Sequence, residues 1–225
     1  MPESLSKRTR AKLRYYRAGF SYWGTGCRVI IDALTKVGIV ISPHYLVLEG
    51  LGNGRLRHLA EGFADYQFGF LEPQDMQALA NLPGRIFTEK ELLDRLQEGQ
   101  KCFGAKWRGE VVAFTWCSFA PYAFAKQKTL PLRDHEAYLF DAHTVEQYRG
   151  IGIAPTLRYR CYQELAKLGR TRCYSITAAF NIPAINFKKK LHAQVLELGL
   201  FIELWGRWWW HTRVRDYREQ PQCQQ

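Results

Sequence analysis

The sequence lacks the features of several common protein classes. No run of about 18 consecutive apolar residues occurs, so no membrane-spanning helix is expected. The six cysteines form no Cys-x-x-Cys pair and join no histidine cluster, which argues against a metal site. No signal-peptide core is visible either. We therefore expect reduced thiols, no metal, no secretion and a cytoplasmic location.

Acidic residues are scarce relative to basic ones. The 32 Lys and Arg outnumber the 21 Asp and Glu, which gives a formal net charge of +11. This charge favours an anionic partner, such as a phosphorylated small molecule, a nucleic acid or an anionic membrane surface. Hydrophobic residues make up 47% of the chain, so the composition predicts a packed core and excludes intrinsic disorder.

The first 42 residues differ in pattern from the rest. Basic residues dominate positions 1–20, and apolar residues then recur in steps of three and four from Phe20 to Leu34, as on one face of a helix. Two interpretations stay open: a helix packed on the domain, or a helix lying on the inner, anionic membrane face. Ser42-Pro43 reads as a break, so the sequence predicts a domain at 43–218 and a tail at 219–225.

Strands and helices alternate through the predicted domain. The pattern predicts strands at 45–48, 65–71, 102–107, 111–119, 137–145, 173–180, 195–203 and 205–214. It predicts helices at 73–82, after a capping box at 88–91, from 153 to a stop at 169, and after a cap at 181.

One glycine-containing stretch, Arg149-Gly-Ile-Gly-Ile-Ala154, lies between a predicted strand and a predicted helix. A helix start exposes unpaired N–H groups and a partial positive charge, and glycines let such groups approach an anion. The stretch is no Walker A loop, because no Gly-Lys-Ser/Thr follows, and it lacks the Gly-x-Gly-x-x-Gly spacing. It is therefore a candidate pyrophosphate cradle, with an ordinary strand-to-helix turn as the alternative.

The stretch also matches the pattern (Arg/Gln)-x-x-Gly-x-(Gly/Ala), and here the sequence resembles the Gcn5-related N-acetyltransferase (GNAT) superfamily. A second pattern of that superfamily is matched at Asn181, Ala184, Phe187 and Lys190. The resemblance covers positions 63–205. It implies an α/β (α+β) fold, in which a mixed, mostly antiparallel sheet is splayed between two parallel strands and flanked by helices.

The resemblance implies an N-acyltransferase that moves an acyl group from acetyl-CoA or another acyl-CoA to an amine, without a metal. Main-chain N–H groups of the strand before the loop would lie where negative charge develops. The residues that the resemblance assigns to the cofactor are Ala142, Thr144, Arg149, Gly150, Ile151, Gly152, Ile153, Ala154, Asn181 and Phe187.

Four residues are candidates for proton transfer. Glu136 lies 13 positions before Arg149, and similar histone-acetylating members have their catalytic glutamate at that offset. His143, whose ordinary pKa is near neutrality, and Asp141 are the other candidate bases. Lys188 stands where the superfamily usually has the tyrosine that protonates the departing thiolate, so it is a candidate acid or a contact to the CoA phosphates.

The C-terminal tryptophans bear on the acceptor. Trp205 and Trp208 to Trp210 are interleaved with arginines, which indicates an aromatic strand pair packed on the sheet, an aromatic-lined acceptor site or an interfacial belt. The last two interpretations favour a hydrophobic or membrane-associated acceptor. Three other functions stay open: acyl transfer from an acyl carrier protein, a non-catalytic CoA-binding module, and nucleic-acid binding on the same scaffold.

Overall fold

The computed structural model describes residues 34–50, 62–125 and 128–218. The predicted tail at 219–225 and the predicted N-terminal helix up to residue 33 lie outside these ranges. Among the described residues, no helix is both long and apolar enough to cross a membrane.

The described chain alternates strands with helices much as the sequence predicts. The strands are β1 (Ile39–Glu49), β2 (Tyr66–Phe70), β3 (Lys101–Trp107), β4 (Glu110–Ser118), β5 (Tyr122–Ala125), β6 (Lys128–Leu130), β7 (Glu136–Thr144), β8 (Arg172–Ala178), β9 (Gln194–Leu204) and β10 (Trp208–Asp216). The helices are α1 (Met76–Ala80), α2 (Glu89–Gln97), α3 (Ile153–Lys167) and α4 (Ile182–Lys190), with short 3-10 helices at Pro73–Asp75 and Glu146–Tyr148.

Within the described chain, eight strands form one sheet in the order β10-β9-β1-β8-β7-β4-β3-β2, and β5 and β6 form a separate hairpin. Strands β7 and β8 are parallel, and the other neighbours in the sheet are antiparallel. This mixed, mostly antiparallel sheet with flanking helices confirms the predicted fold class.

Helices cover both faces of the sheet. Ile153, Leu157 and Leu165 on α3 are buried in one core cluster, against strands β2, β3, β4 and β7. On the other face, α1 and α2 bury Met76 and Leu92 in a second cluster. Helix α2 begins at a capping box, because the Thr88 hydroxyl accepts from the Glu91 N–H as the sequence predicts.

Strand β1 is longer than predicted, and the expected break at Ser42-Pro43 is wrong. Pro43 lies opposite Leu200 of β9, and its carbonyl oxygen accepts the Ala179 N–H at 2.9 Å. A proline removes one donor but keeps its acceptor, so the strand passes through it. The predicted boundary between residues 42 and 43 therefore falls inside β1, which lies between β8 and β9 in the middle of the sheet.

The hairpin of β5 and β6 was not predicted. The sequence between Phe119 and Ala137 offers no clear alternation, yet Tyr122 pairs with Leu130 and Ala123 with Thr129. The hairpin places Tyr122 next to β7, where its ring stacks on the Tyr138 ring.

Candidate functional site

The sheet splits between its two parallel strands. Only the first residues of β7 and β8 pair: Glu136 with Arg172, Ala137 with Cys173, and Tyr138 with Tyr174. Beyond these pairs, in the described chain, β7 runs on beside β4 and β8 runs on beside β1. A cleft therefore opens toward the C-terminal ends of β7 and β8, and Tyr138 and Tyr174 mark its closed end.

A β-bulge shapes the wall of the cleft. Trp116 of β4 pairs with Phe140, but Phe114 pairs with His143, so Asp141 and Ala142 both lie opposite the single residue between them. Asp141 has a φ of 46°, in the left-handed region. Such a bulge bends its strand, and here it lies on the part of β7 that has no partner on β8.

The loop after β7 exposes a row of main-chain donors. Gly150 and Gly152 have φ values of 82° and 95°, which glycine adopts without strain. The N–H groups of residues 150–154 have no hydrogen-bond partner in the described structure. They lie at the N-terminus of the 15-residue helix α3, where the helix dipole favours an anion. These donors fit a diphosphate group.

The other residues predicted to contact the cofactor flank this loop. Arg149 is exposed, and its Nε donates to the Thr144 carbonyl oxygen at 3.0 Å, which fixes the guanidinium beside the loop. The Asn181 Oδ1 accepts the Ala184 N–H at 3.1 Å and caps α4. Phe187 packs against the core that contains α3. Asn181 and Phe187 therefore shape α4, on the β8 side of the cleft.

Glu136 lies at the closed end of the cleft. It is buried, its Oε2 accepts the Arg133 N–H at 3.0 Å, and its Oε1 accepts the Tyr174 hydroxyl at 3.0 Å. Burial alone would raise the pKa of Glu136, but these two hydrogen bonds, together with the charges of His135 and Arg172, hold the pKa below its ordinary value. Burial and the bond to Glu136 raise the pKa of Tyr174. Tyr174 is a site residue that the sequence did not single out.

His143 and Asp141 lie farther along β7. Burial, together with the charges of Arg85 and Arg149, lowers the pKa of His143 to about 4, so its imidazole is neutral at pH 7. Asp141 accepts from Arg85 through both guanidinium Nη atoms, at 2.7 and 2.8 Å, and from Arg95 at 2.8 Å. Both carboxylate oxygens of Asp141 are thus held in a buried ion cluster.

Lys188 is buried in a second ion cluster, unlike its exposed neighbours Lys189 and Lys190. Its ammonium donates to the carboxylate of Glu49, the last residue of β1. Burial lowers the pKa of Lys188 to about 8 although Glu49 opposes this. Burial would raise the pKa of Glu49, but the charges of Lys188 and Arg158 outweigh it and lower that pKa to about 2.

The Glu136–Tyr174 pair and the Glu49–Lys188 pair lie at nearly the same level along the parallel strands but on opposite faces of the sheet. Glu136 pairs in register with Arg172, and Glu49 pairs with the next residue, Cys173. Since side chains alternate along a strand, Glu136 and Tyr174 face the side of α1 and α2. Glu49 faces α3 and α4, where Lys188 lies.

The tryptophans lie away from this cleft. Trp205, Trp208 and Trp210 are exposed, and β10 is three strands from β8, which is about 14 Å at the usual strand spacing. The aromatic rings beside the split are instead Tyr138 and Tyr122, whose ring centroids are 4.0 Å apart, and Phe140, at 5.0 Å from Tyr122. The sequence did not single out this group of rings, because the hairpin that brings Tyr122 to Tyr138 and Phe140 was not predicted.

Comparison with known proteins agrees with this geometry. A family model described as "Acetyltransferase (GNAT) family" matches residues 63–193, which is more than half of the chain. Strand β1 lies outside the matched region. No curated protein matches the chain significantly.

Solved structures share the fold at low sequence identity. A functionally unknown conserved protein from Staphylococcus epidermidis is 9% identical, with a TM-score of 0.55 over 78% of this chain and 66% of that protein. A Drosophila protein is 14% identical, with a TM-score of 0.51 over 83% of this chain and 59% of that one. A glucosamine N-acetyltransferase region in a fungal multi-domain β-N-acetylglucosaminidase is 13% identical, with a TM-score of 0.55 over 82% of this chain and 23% of that protein.

The chain spans less than two thirds of the length of each of these three proteins. The likeness to them shows the fold. The family match, over a sheet that splits beside a loop of unpaired N–H groups, shows that this chain belongs to the acetyltransferase (GNAT) family.

Proposed function

We propose that the protein is an N-acetyltransferase that uses acetyl-CoA and acts on an amine carrying an apolar or aromatic group. The observation that carries this proposal is the row of N–H groups at residues 150–154, which have no partner among the described residues and lie at the N-terminus of α3, beside the open part of the split. The GNAT family uses acetyl-CoA, which supplies an activated acyl thioester.

The loop and its arginine would hold the donor. The N–H groups of residues 150–154 bind the diphosphate, and the guanidinium of Arg149 adds a charge that can pair with a phosphate oxygen. The part of β7 that has no partner on β8, which includes Ala142 and Thr144, then offers a strand edge along which the rest of the carrier would lie. The thioester would end near Tyr138 and Tyr174, where the split closes.

Glu136 would accept the proton that the attacking amine gives up. It lies next to the closed end of the split. Its carboxylate accepts the hydroxyl of Tyr174, a half-buried residue on the same face of the sheet. The pKa of Glu136 lies below its ordinary value, so the carboxylate is ionised at neutral pH and is free to take up a proton. The arginines hold both oxygens of Asp141, so we do not assign it the role of base, and His143, which is neutral at pH 7, is the second candidate after Glu136.

Lys188 would give a proton to the departing sulfur from the other face of the sheet. Lys188 is buried, and it binds Glu49, which lies opposite Cys173 near the closed end of the split. Both observations favour this role over a contact to the CoA phosphates. Because its pKa is about 8, most of the lysine is protonated at neutral pH and the proton is easily lost.

Binding of acetyl-CoA tests the proposal directly. We expect Gly152→Val to weaken binding by more than about tenfold, because a β-branched residue at this positive φ strains the loop and turns its N–H groups away. Arg149→Ala should weaken binding by about tenfold, the value of one charge-assisted hydrogen bond. Isothermal titration calorimetry measures both.

Gly169→Val is the matched control for the loop variant. Gly169 also has a positive φ, of 77°, with open space around it, but it lies at the other end of α3. Its replacement should cost stability without weakening the binding of acetyl-CoA. Equal affinity in the wild type and Gly152→Val would refute the assignment of the loop.

The choice of amine tests the acceptor side. Because Tyr122, Tyr138 and Phe140 stack beside the split, we expect kcat/KM for phenethylamine to exceed that for ethanolamine by about tenfold or more. The assay follows release of the free thiol from acetyl-CoA.

Two variants separate the candidate acceptor surfaces. Tyr122→Ala should reduce the preference for phenethylamine, whereas Trp208→Ala, which removes an exposed ring on the distant β10, should leave it unchanged. The opposite result would move the acceptor to the tryptophans. Equal rates with both amines would remove the proposed preference.

A further inference from the structure

A strand outside the matched family region reaches the proposed active site. The family match begins at residue 63, whereas β1 ends at Glu49. Glu49 is fully buried and lies opposite Cys173, one residue before the pair of tyrosines that closes the split. A glutamate is almost never fully buried unless it is paired, so its partners explain its position.

The partners of Glu49 come from both helices on that face. The Tyr162 hydroxyl on α3 donates to the Glu49 Oε2 at 2.5 Å, and the Lys188 ammonium on α4 donates to Oε1. The Arg158 Nε on α3 lies 3.8 Å from Oε2. The cluster therefore holds two cations and one anion, so one positive charge is left without a counter-charge among the described residues.

One donor atom of this cluster is not satisfied by the described residues. The Nη1 atom of Arg158 is buried and has no hydrogen-bond partner in the part of the chain that the structure describes. Buried donors are almost always paired in folded proteins.

We propose that Glu49 is a positioning residue that holds the ammonium of Lys188 at the closed end of the split, ready to protonate the departing thiolate. This inference rests on the role of Lys188 in the proposed function. In the step, one N–H bond of the ammonium breaks and an S–H bond forms. Lys188 is left as a neutral amine, and a remaining N–H can still donate to Glu49.

A lysine needs such a partner more than a tyrosine does. Its charge sits on a flexible four-carbon stem with three rotatable donors, so its direction is fixed only by what it binds. Glu49 supplies a fixed acceptor, and Tyr162 in turn orients the Glu49 carboxylate. In this reading, β1 is an integral part of the active site.

The groups that face Lys188 determine whether its pKa rises or falls when the charge of Glu49 is removed. Glu49 on β1 raises the pKa of Lys188, Arg158 on α3 lowers it, and the Cys173 thiol on β8 raises it slightly. Tyr162 on α3 contacts the cluster through Glu49. Removing the charge of Glu49 leaves burial and Arg158 unopposed, so the pKa of Lys188 must fall.

The test is an NMR titration of the full chain with lysines labelled at Cε, in which Lys188→Arg assigns the Lys188 signal. We expect the wild type to titrate near pH 8, Glu49→Gln at least one unit lower, and Glu49→Asp in between. Glu197→Gln is the control, because Glu197 is also buried and ion-paired but belongs to β9. It should leave the titration of Lys188 unchanged.

Two probes add a readout that a purely structural role would not move. Free CoA should shift the Lys188 signal of the wild type more than desulfo-CoA, which lacks the thiol, and Glu49→Gln should lose this difference. With acetyl-CoA and phenethylamine, the alkaline limb of kcat should move down by about one pH unit in Glu49→Gln, with little change in KM for acetyl-CoA.

The possible failures are distinct. If neither probe binds the wild type, the proposed function fails. If both probes bind but shift the Lys188 signal equally, Lys188 is not the group that protonates the thiolate. If Lys188 distinguishes them equally in the wild type and Glu49→Gln, the positioning role of Glu49 is overturned. Should Glu49→Gln not fold, Glu49→Asp decides in the same way, because its shorter side chain withdraws the carboxylate from Lys188.

Discussion

Replacing Glu136 with Gln is expected to lower kcat by about 10²–10⁴-fold, the usual contribution of a general base. The amide keeps the size of the side chain and can still accept the Tyr174 hydroxyl at the Oε1 position. It cannot take up a proton, so the acetyl transfer loses its acceptor. Initial rates with saturating acetyl-CoA and phenethylamine measure the loss, and the KM for acetyl-CoA should change little.

Tyr174→Phe is the matched variant for this prediction. It removes one of the hydrogen bonds that lower the pKa of Glu136 but leaves the carboxylate in place. We expect a smaller loss of kcat and an acid limb of the pH profile that moves to higher pH. A loss of less than about threefold in Glu136→Gln would rule out Glu136 as the base.

The sequence predicted the parts of the fold that depend on local pattern. The capping box at Thr88, the Asn181 cap and the loop at residues 149–154 each involve neighbours within a few positions, and the structure has them where the sequence places them. Apart from the hairpin of β5 and β6, the order of the elements from residue 63 onward also follows from alternation and turn signals. The loop led to the candidate diphosphate site, and the resemblance that it carried together with the Asn181 segment implied the fold class.

The contacts that define the rest of the site are distant in sequence. Lys188 and Glu49 are separated by 139 positions, and Asp141 and Arg85 by 56. No local pattern encodes such pairs. Proline at position 43 also hid the first part of β1, because a proline inside a central strand normally argues against the strand. The predicted strand ended one residue before Glu49, and no local pattern singled that residue out.

The role that the sequence predicts for Asp141 differs from the role that its contacts in the structure support. On the sequence, a carboxylate on β7 is a candidate base. In the structure, both of its oxygens bind guanidinium groups from the segment before α2 and from α2 itself. Asp141 also occupies the bulge that bends β7 at the cleft. We therefore infer that this cluster fixes the bulge, and with it the cleft wall, to the helical layer on that face.

We expect Asp141→Asn to lower the free energy of unfolding by about 3–5 kcal/mol, because it removes the buried carboxylate charge that pairs with the buried Arg85 and the half-buried Arg95 side chains. Asparagine tolerates the positive φ of this position, so the change tests the charge and not the backbone. Urea unfolding measures the difference, and Asp216→Asn is the control. Asp216 also pairs with arginine, at 2.7 Å, but its pair is exposed, so its loss should cost much less than the loss of Asp141. A cost below about 1 kcal/mol for Asp141→Asn would show that the cluster does not hold the bulge, and would return Asp141 to the candidates for the base.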